Sequence, residues 1–320
     1  MPDTRTAVIV GSAGQDGRLL FEFLQRAGTT VIGITRPTAA SEIPKGDSRG
    51  SRLLDILDAR QVSALIADVQ PDEVYYLAAF HHASEDARPD SSELYHHSHQ
   101  VHVEGLLNFL DAMKRTSAKS RLFYAASSHI FGSPVKSPQD ENTPIEPRCI
   151  YGITKASGIH LCRFYRESHG AFASAGILYT HESPFRRRSF LASKVINAAI
   201  EIRAGQRNRL AVGDLSAQID WGYAPDYVEA MVKILALPHA DDFVIATGRL
   251  LSVGAFIEIV FQRLGLDWHA HVVEDPSIIV RRRSTLVGDP SKLRRATGWS
   301  ASTDPGAMVD HLLRARGVKL

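Results

Sequence analysis

The sequence predicts an α/β protein built on a doubly wound, mainly parallel sheet, and three observations carry that prediction. A short apolar run, Ala7-Val8-Ile9-Val10, feeds a glycine-rich turn and then apolar residues at helical spacing. Strand-like and helix-like segments alternate from there to residue 180. Tyr151 and Lys155 stand at the i, i+4 spacing of one helix face, shortly after a strand that ends in Ser127.

Run 7–10 shows no polar alternation, as expected of a strand covered on both faces. It ends in Gly11-Ser12-Ala13-Gly14-Gln15-Asp16-Gly17, after which Leu19, Leu20, Phe23 and Leu24 form a helix stripe. Glycines between a strand and a helix let backbone N–H groups approach a pyrophosphate at the helix N-terminus, which makes the turn 11–17 the candidate cofactor loop. The second strand, 30–34, is followed by Thr35-Arg36. A carboxylate there would hydrogen-bond the adenosine ribose of NAD, whereas an arginine suits the 2′-phosphate of NADP. Arg36 therefore predicts NADP, with NAD as the alternative.

Residues 37–51, rich in Pro, Ser, Gly and Lys, read as a loop. A third strand is expected at 53–56, with Asp55 in reach of an adenine amine, then a helix over 59–69 and a strand over 73–79. An amphipathic helix over 101–113 leads to a buried strand, 121–126, that delivers Ser127-Ser128-His129 at its carboxyl end, where open α/β sheets bind ligands. A loop over 132–147 precedes the helix of Tyr151, and a further strand is expected at 175–179. Beyond about residue 185 the pattern loosens: helices over 194–203, 226–237 and 253–264, strands over 210–213 and 242–247, and a turn at 288–292 opening a short helix. The whole reads as a Rossmann-type sheet with a smaller C-terminal α/β domain, divided into 1–180, to which some later segments return, and 181–320.

Composition excludes several classes. A net charge of +2 gives no support to a nucleic-acid or membrane-surface partner, and no apolar run reaches the ~20 residues of a membrane span. Two cysteines, Cys149 and Cys162, make no disulfide framework and suit a reducing cytosol; residues 1–5 lead straight into a strand, so a cytoplasmic location without a leader is expected.

The chemistry centres on Tyr151. A free tyrosine has a pKa near ~10, too high for a base at neutral pH, and a lysine held beside it favours the phenolate. Ser127 opposite would hydrogen-bond the same substrate oxygen while a nicotinamide takes the hydride. A dense set of histidines, His81, His82, His96, His97, His99 and His102, includes a three-residue repeat, but no cysteine or Glu-x-x-His pattern accompanies it and no metal is expected. Arg186-Arg187-Arg188 lies near the expected cleft, able to hold diphosphate oxygens, and a second basic run begins at Arg281.

Several ordered blocks together resemble the GDP-mannose 4,6-dehydratase family of the extended short-chain dehydrogenase/reductases: the Gln15-Asp16 pair of the first turn, Gly176-Ile177-Leu178 with His181-Glu182-Ser183-Pro184, Asp220-Trp221-Gly222, and Gly288-Asp289-Pro290. The resemblance spans about residues 6 to 315. It implies a seven-stranded nucleotide-binding domain, a sugar-nucleotide domain, and dimers or tetramers packed through helices that include that of Tyr151. It also implies oxidation of a hexose at C4, loss of water across C5–C6 and return of the hydride at C6. By position, Ser127 and Tyr151 fall on the C4 oxygen, Lys155 on the nicotinamide ribose, and Gly11, Gly14, Gln15, Asp16, Gly17, Arg36 and Asp55 on the cofactor side. Ser128, Thr180, Glu182, Arg186, Lys194 and Arg281 are the candidates for a nucleotide-sugar substrate, GDP-linked by the resemblance.

The departures fall around the sugar. The family's acid/base glutamate is His129 here, Phe80-His81 replaces Gln-Ser, Thr180 replaces Asn, Phe185 replaces the first arginine of a pair, and Ile219 replaces an arginine. A histidine, with an unperturbed pKa near ~6.5, can make both proton transfers of an elimination. It is also what a C4 reductase, oxidase or epimerase of a nucleotide-linked hexose or heptose, needing only Ser127, Tyr151 and Lys155, would tolerate.

Overall fold

Ala7 and Ile9 face one side of the sheet and Val8 and Val10 the other, and all four are fully buried, so the strand without polar alternation has cover on both faces. This is seen in a computed structural model of the protein, which describes residues 5–36, 50–80, 90–279 and 284–320. The strand is β1 (Thr6–Val10), and β2 (Thr30–Thr35), β3 (Ser51–Leu53), β4 (Glu73–Tyr76), β5 (Arg121–Ala125) and β6 (Phe172–Leu178) follow it in chain order. With β10 (Asp242–Ile245) they form a seven-stranded sheet in the order β10-β6-β5-β4-β1-β2-β3, every neighbouring pair parallel. The strand order reverses between β1 and β4, which opens a crevice at their carboxyl ends.

One face is covered by α2 (Ala59–Val69), α4 (Gly105–Thr116) and α5 (Ile150–His169), the other by α1 (Gln15–Arg26) and α7 (Ala224–Leu235). Tyr76, Phe109 and Tyr124 fill the first layer, Tyr75, Phe123 and Tyr227 the second, all fully buried. Burying each such side chain is worth roughly 1.5–3 kcal/mol. A third cluster stands apart, built by α6 (Leu191–Arg203), α8 (Val253–Arg263) and α10 (Pro305–Arg314) around Trp221. Trp221 lies on β9 (Gln218–Tyr223), the centre of a three-stranded sheet with β7 (Thr180–Glu182) and β11 (Leu250–Ser252).

Three expectations need correcting. The third strand ends at Leu53 rather than running over 53–56, because the Asp58 carboxylate caps α2 through Arg60 and Gln61 and the chain must already be turning. The fourth stops at Tyr76 rather than 79, where Leu77 N–H bonds back to Val10. The helix expected over 101–113 is longer and broken: α3 (Ser91–His99) runs into a π-turn at Gln100–Glu104 and then α4. The loop at 37–51 lies mostly outside the described residues, as do His81, His82 and Arg281.

Candidate active site

The turn after β1 is shaped by its glycines. Gly11 adopts φ +90°, and a Cβ there would come within 2.8 Å of the Ala78 backbone nitrogen. A Cβ on Gly17 would meet the Gly11 oxygen at 2.4 Å, so α1 packs tightly under the turn. Gly14 caps α1 with no side-chain hydrogen bond, leaving the first N–H groups of the helix facing the crevice. Arg36 is exposed just past β2, and with Asp55, also exposed, lines the far end of the same cleft.

That cleft, about 1840 Å³, runs from the glycine turn across the sheet edge to the third hydrophobic cluster. At its centre β5 delivers Ser127, whose Oγ accepts from His129 N–H at 3.3 Å and hydrogen-bonds Tyr151. Tyr151 sits in the first turn of α5, which approaches closely because Gly152 lies under His129: a Cβ there would come within 2.5 Å of the His129 oxygen. Lys155, one turn on, is fully buried and donates to the Ala125 carbonyl at 2.7 Å, its Nζ 5.8 Å from the Tyr151 ring centre.

These surroundings reverse one expectation. Burial pushes the Tyr151 phenol well above its usual value, and the Arg186 charge offsets only part of this. Burial pushes Lys155 down to about 7, against the pull of Asp16. The lowered phenol expected from the Tyr-Lys spacing is thus not a property of the protein alone: desolvation outweighs the Arg186 charge and the Ser127 hydrogen bond, and Lys155 gives its own hydrogen bond to a carbonyl.

His129 is half-buried at the cleft wall, its ring edge-to-face with Tyr151 at 5.8 Å. Its Nδ1 lies 3.7 Å from the Sγ of Cys149, which also caps α5 by accepting from Gly152 N–H. On the opposite wall, Asp16 binds His181 at 3.0 Å, while Gln15 donates to the His181 carbonyl and accepts from Ser183. For Asp16, burial alone would raise the carboxyl, but the charge and hydrogen bond of His181 prevail and lower it; His181 is raised by the same pairing against its own burial. Next to them Glu182 is buried and raised by desolvation, with Arg186 3.6 Å away and stacked on Phe190 at 3.8 Å.

Among the residues expected at the site, Ser127, Ser128, His129, Tyr151, Lys155, Thr180, Glu182 and Arg186 converge on one cleft with the glycine turn. Gln15 and Asp16 turn their side chains to β7. Lys194 sits one turn into α6, outside the cleft walls, and Arg188 pairs with Glu201. Among the described residues no group of His, Cys, Asp or Glu is arranged to hold a metal. The sequence reading passed over Cys149, although its place at the N-cap of the Tyr151 helix was a signal. His102, weighed from the sequence only as a member of the histidine cluster, sits at i−4 from Leu106 and i−7 from Phe109, on the buried stripe.

The parallel sheet and the Ser-Tyr-Lys cluster at its carboxyl edge define the class, a short-chain dehydrogenase/reductase. The solved structure of RMD from Pseudomonas aeruginosa complexed with NADPH has this fold, with a TM-score of 0.81 over 98% of this chain and 99% of that one at 21% identity. A profile of GDP-mannose 4,6 dehydratase matches residues 8–312. GDP-mannose 4,6 dehydratase 2 of Caenorhabditis elegans is 35% identical over 98% of this chain and 88% of its own length. The GDP-mannose 4,6 dehydratase of Cricetulus griseus is 36% identical, over 97% and 90%. The chain belongs to the GDP-mannose 4,6 dehydratase family.

Proposed function

We propose that the protein is an NADP-dependent sugar-nucleotide 4,6-dehydratase acting on a GDP-linked hexose. The observation that carries the reading is the convergence of Ser127, His129, Tyr151 and Lys155 in a cleft that also receives the glycine turn. The cradle suits a dinucleotide: backbone already fills the space of a Cβ at Gly11 and Gly17, and α1 opens on Gly14 with no side chain over its N–H groups. Arg36 would meet a 2′-phosphate. When bound, the nicotinamide supplies reversible hydride storage, accepting from C4 and returning to C6.

The chain's own residues supply the proton chemistry. Tyr151, ionised when a cationic nicotinamide is bound beside it, takes the proton of the C4 hydroxyl, and Ser127, hydrogen-bonded to it, holds the same oxygen. Lys155, fully buried with the Ala125 carbonyl accepting from it, is held in place to donate to the cofactor ribose. His129 then removes the proton at C5, made acidic by the C4 ketone, and delivers it to the departing C6 hydroxyl, so water leaves; when C6 takes up the hydride, C5 is reprotonated through the same imidazole. Thr180, Glu182 and Arg186 face the sugar nucleotide, with Arg186 for its diphosphate and residues 181–320 as its main lobe.

Ile153 and Phe164 are exposed on one face of α5, eleven residues apart, and with Leu107 on α4 they form the apolar surface for a homodimer or homotetramer. Free thiols and balanced charge suit the cytoplasm. His129 in the glutamate's place favours one second reading, a C4 oxidoreductase or epimerase using only Ser127, Tyr151 and Lys155. Incubation with GDP-mannose and NADP separates them by mass. The dehydratase yields a product lighter by one water; a product lighter by two hydrogens, or an isomer, supports the second reading.

A further inference from the structure

A fully buried histidine that no step above uses lies directly behind Tyr151. His102 occupies the π-turn between α3 and α4, a wide turn whose carbonyls at Val101 and His102 accept from the hydroxyls of Tyr76 (2.6 Å) and Tyr124 (3.4 Å). Single π-turns inside helices recur at functional sites. The His102 ring meets the Tyr151 ring edge-to-face at 5.2 Å.

Its tautomer follows from its partners. The backbone N–H of Phe80 points at Nε2 at 3.0 Å and only donates, so Nε2 carries no proton. Nδ1 therefore carries it and donates to Thr154 Oγ1 at 2.8 Å. Thr154 in turn donates to the carbonyl of Ile150 or Tyr151, at 3.1 and 3.2 Å. The neutral ring thus joins two parts of the cleft: Phe80, which lines its mouth and packs on His97 at 5.2 Å, and the turn of α5 that carries Tyr151.

We propose that His102 is a positioning residue with two separable duties, its Nε2 holding the Phe80 segment against the substrate and its Nδ1–H holding Tyr151 in register for proton transfer. The kinetic part rests on the dehydratase reading. Glutamine places an acceptor where Nε2 stands, and asparagine a donor where Nδ1 stands, so each keeps one duty.

The test compares His102→Gln, His102→Asn and Thr154→Val for turnover of GDP-mannose. His102→Gln and Thr154→Val lower kcat by about 10–100-fold, the usual loss when a reacting group shifts by ~1 Å, and leave KM near wild type. His102→Asn raises KM about tenfold, the effect of one lost hydrogen bond on substrate binding, with a smaller loss of kcat. Equal changes of kcat and KM in both His102 variants, or none, overturn the proposal. Two spectroscopic readouts on the intact, NADP-loaded chain need no turnover. The imidazole 15N spectrum, assigned by loss of signals in His102→Gln, shows protonated Nδ1 and bare Nε2. The Tyr151 13Cζ resonance, assigned with Tyr151→Phe, moves in His102→Gln. A protonated Nε2, or an unmoved Tyr151 signal, overturns the positioning role even if the wild type accepts no GDP-sugar; absent turnover with both signals as expected removes only the dehydratase reading.

Discussion

Asp16 and His181, on α1 and β7, form an ion pair with 3.0 Å between carboxylate and Nε2, and it ties the helix after the glycine turn to the three-stranded sheet. His181 also donates from Nδ1 to the Tyr179 carbonyl and stacks on Tyr227 at 4.5 Å, so its ring has little freedom. The pair gives the protein a pH signature. The histidine is raised, so its contribution is complete below its ordinary value near ~6.5 and is lost as pH rises through the folded value. The carboxyl is lowered, so its contribution is complete above ~4 and is lost as pH falls through the folded value. Asp16→Asn should therefore destabilise most between about pH 4 and 6.5, by roughly 3–5 kcal/mol, and progressively less at higher pH. Urea unfolding of both proteins at several pH values checks this; a pH-independent difference would show that no charge pair is involved.

The proposed elimination step is tested at His129 and at Cys149, whose Sγ lies 3.7 Å from the His129 Nδ1. His129→Ala should lower dehydrated product by about 10²–10⁴-fold while NADP affinity is unchanged, as measured by product mass and fluorescence titration. Cys149→Ala, which removes the sulfur beside Nδ1, should lower the dehydration rate by less than His129→Ala does while leaving NADP affinity unchanged. An unaltered dehydration rate in His129→Ala would remove this residue from the mechanism.

Arg36 is exposed at the cleft end and is the residue proposed to meet the 2′-phosphate. Arg36→Asp should weaken NADP by about 10–100-fold, the worth of a charge-assisted hydrogen bond of ~1.5–3 kcal/mol, and leave NAD nearly as before. Calorimetric titration with both dinucleotides measures the contrast, and equal losses would place the 2′-phosphate elsewhere.

The outward face of α5 tests assembly. Ile153 and Phe164 are 42% and 52% exposed on one stripe of α5. Ile153→Glu with Phe164→Glu should convert the proposed oligomer to monomer in light scattering without loss of helical signal. An unchanged mass would move the interface to another surface.

The parts of this fold set by local rules were legible. The run Ala7-Val8-Ile9-Val10 and the glycines after it could be little else, and the helix over 59–69 was bounded correctly because Asp58 is a capping residue followed by an apolar stripe. The Ser127, Tyr151 and Lys155 constellation was legible from spacing together with strand order. What escaped depended on partners distant in sequence. Strands β7, β9 and β11 run for six residues or fewer and exist through pairing with one another. The π-turn at 100–104 carries no local marker and depends on tyrosines of β4 and β5. The state of Tyr151 escaped for the same reason: spacing announces the lysine, but burial, which only the folded chain displays, decides the direction of the shift.

The most direct test of the account uses GDP-mannose deuterated at C4 with NADP far below stoichiometric amount. Internal return of the hydride predicts a 4-keto-6-deoxy product carrying the deuterium at C6, with no net NADPH formed. Deuterium accumulating in NADPH in step with product, or a sugar that keeps its C6 hydroxyl, would contradict it.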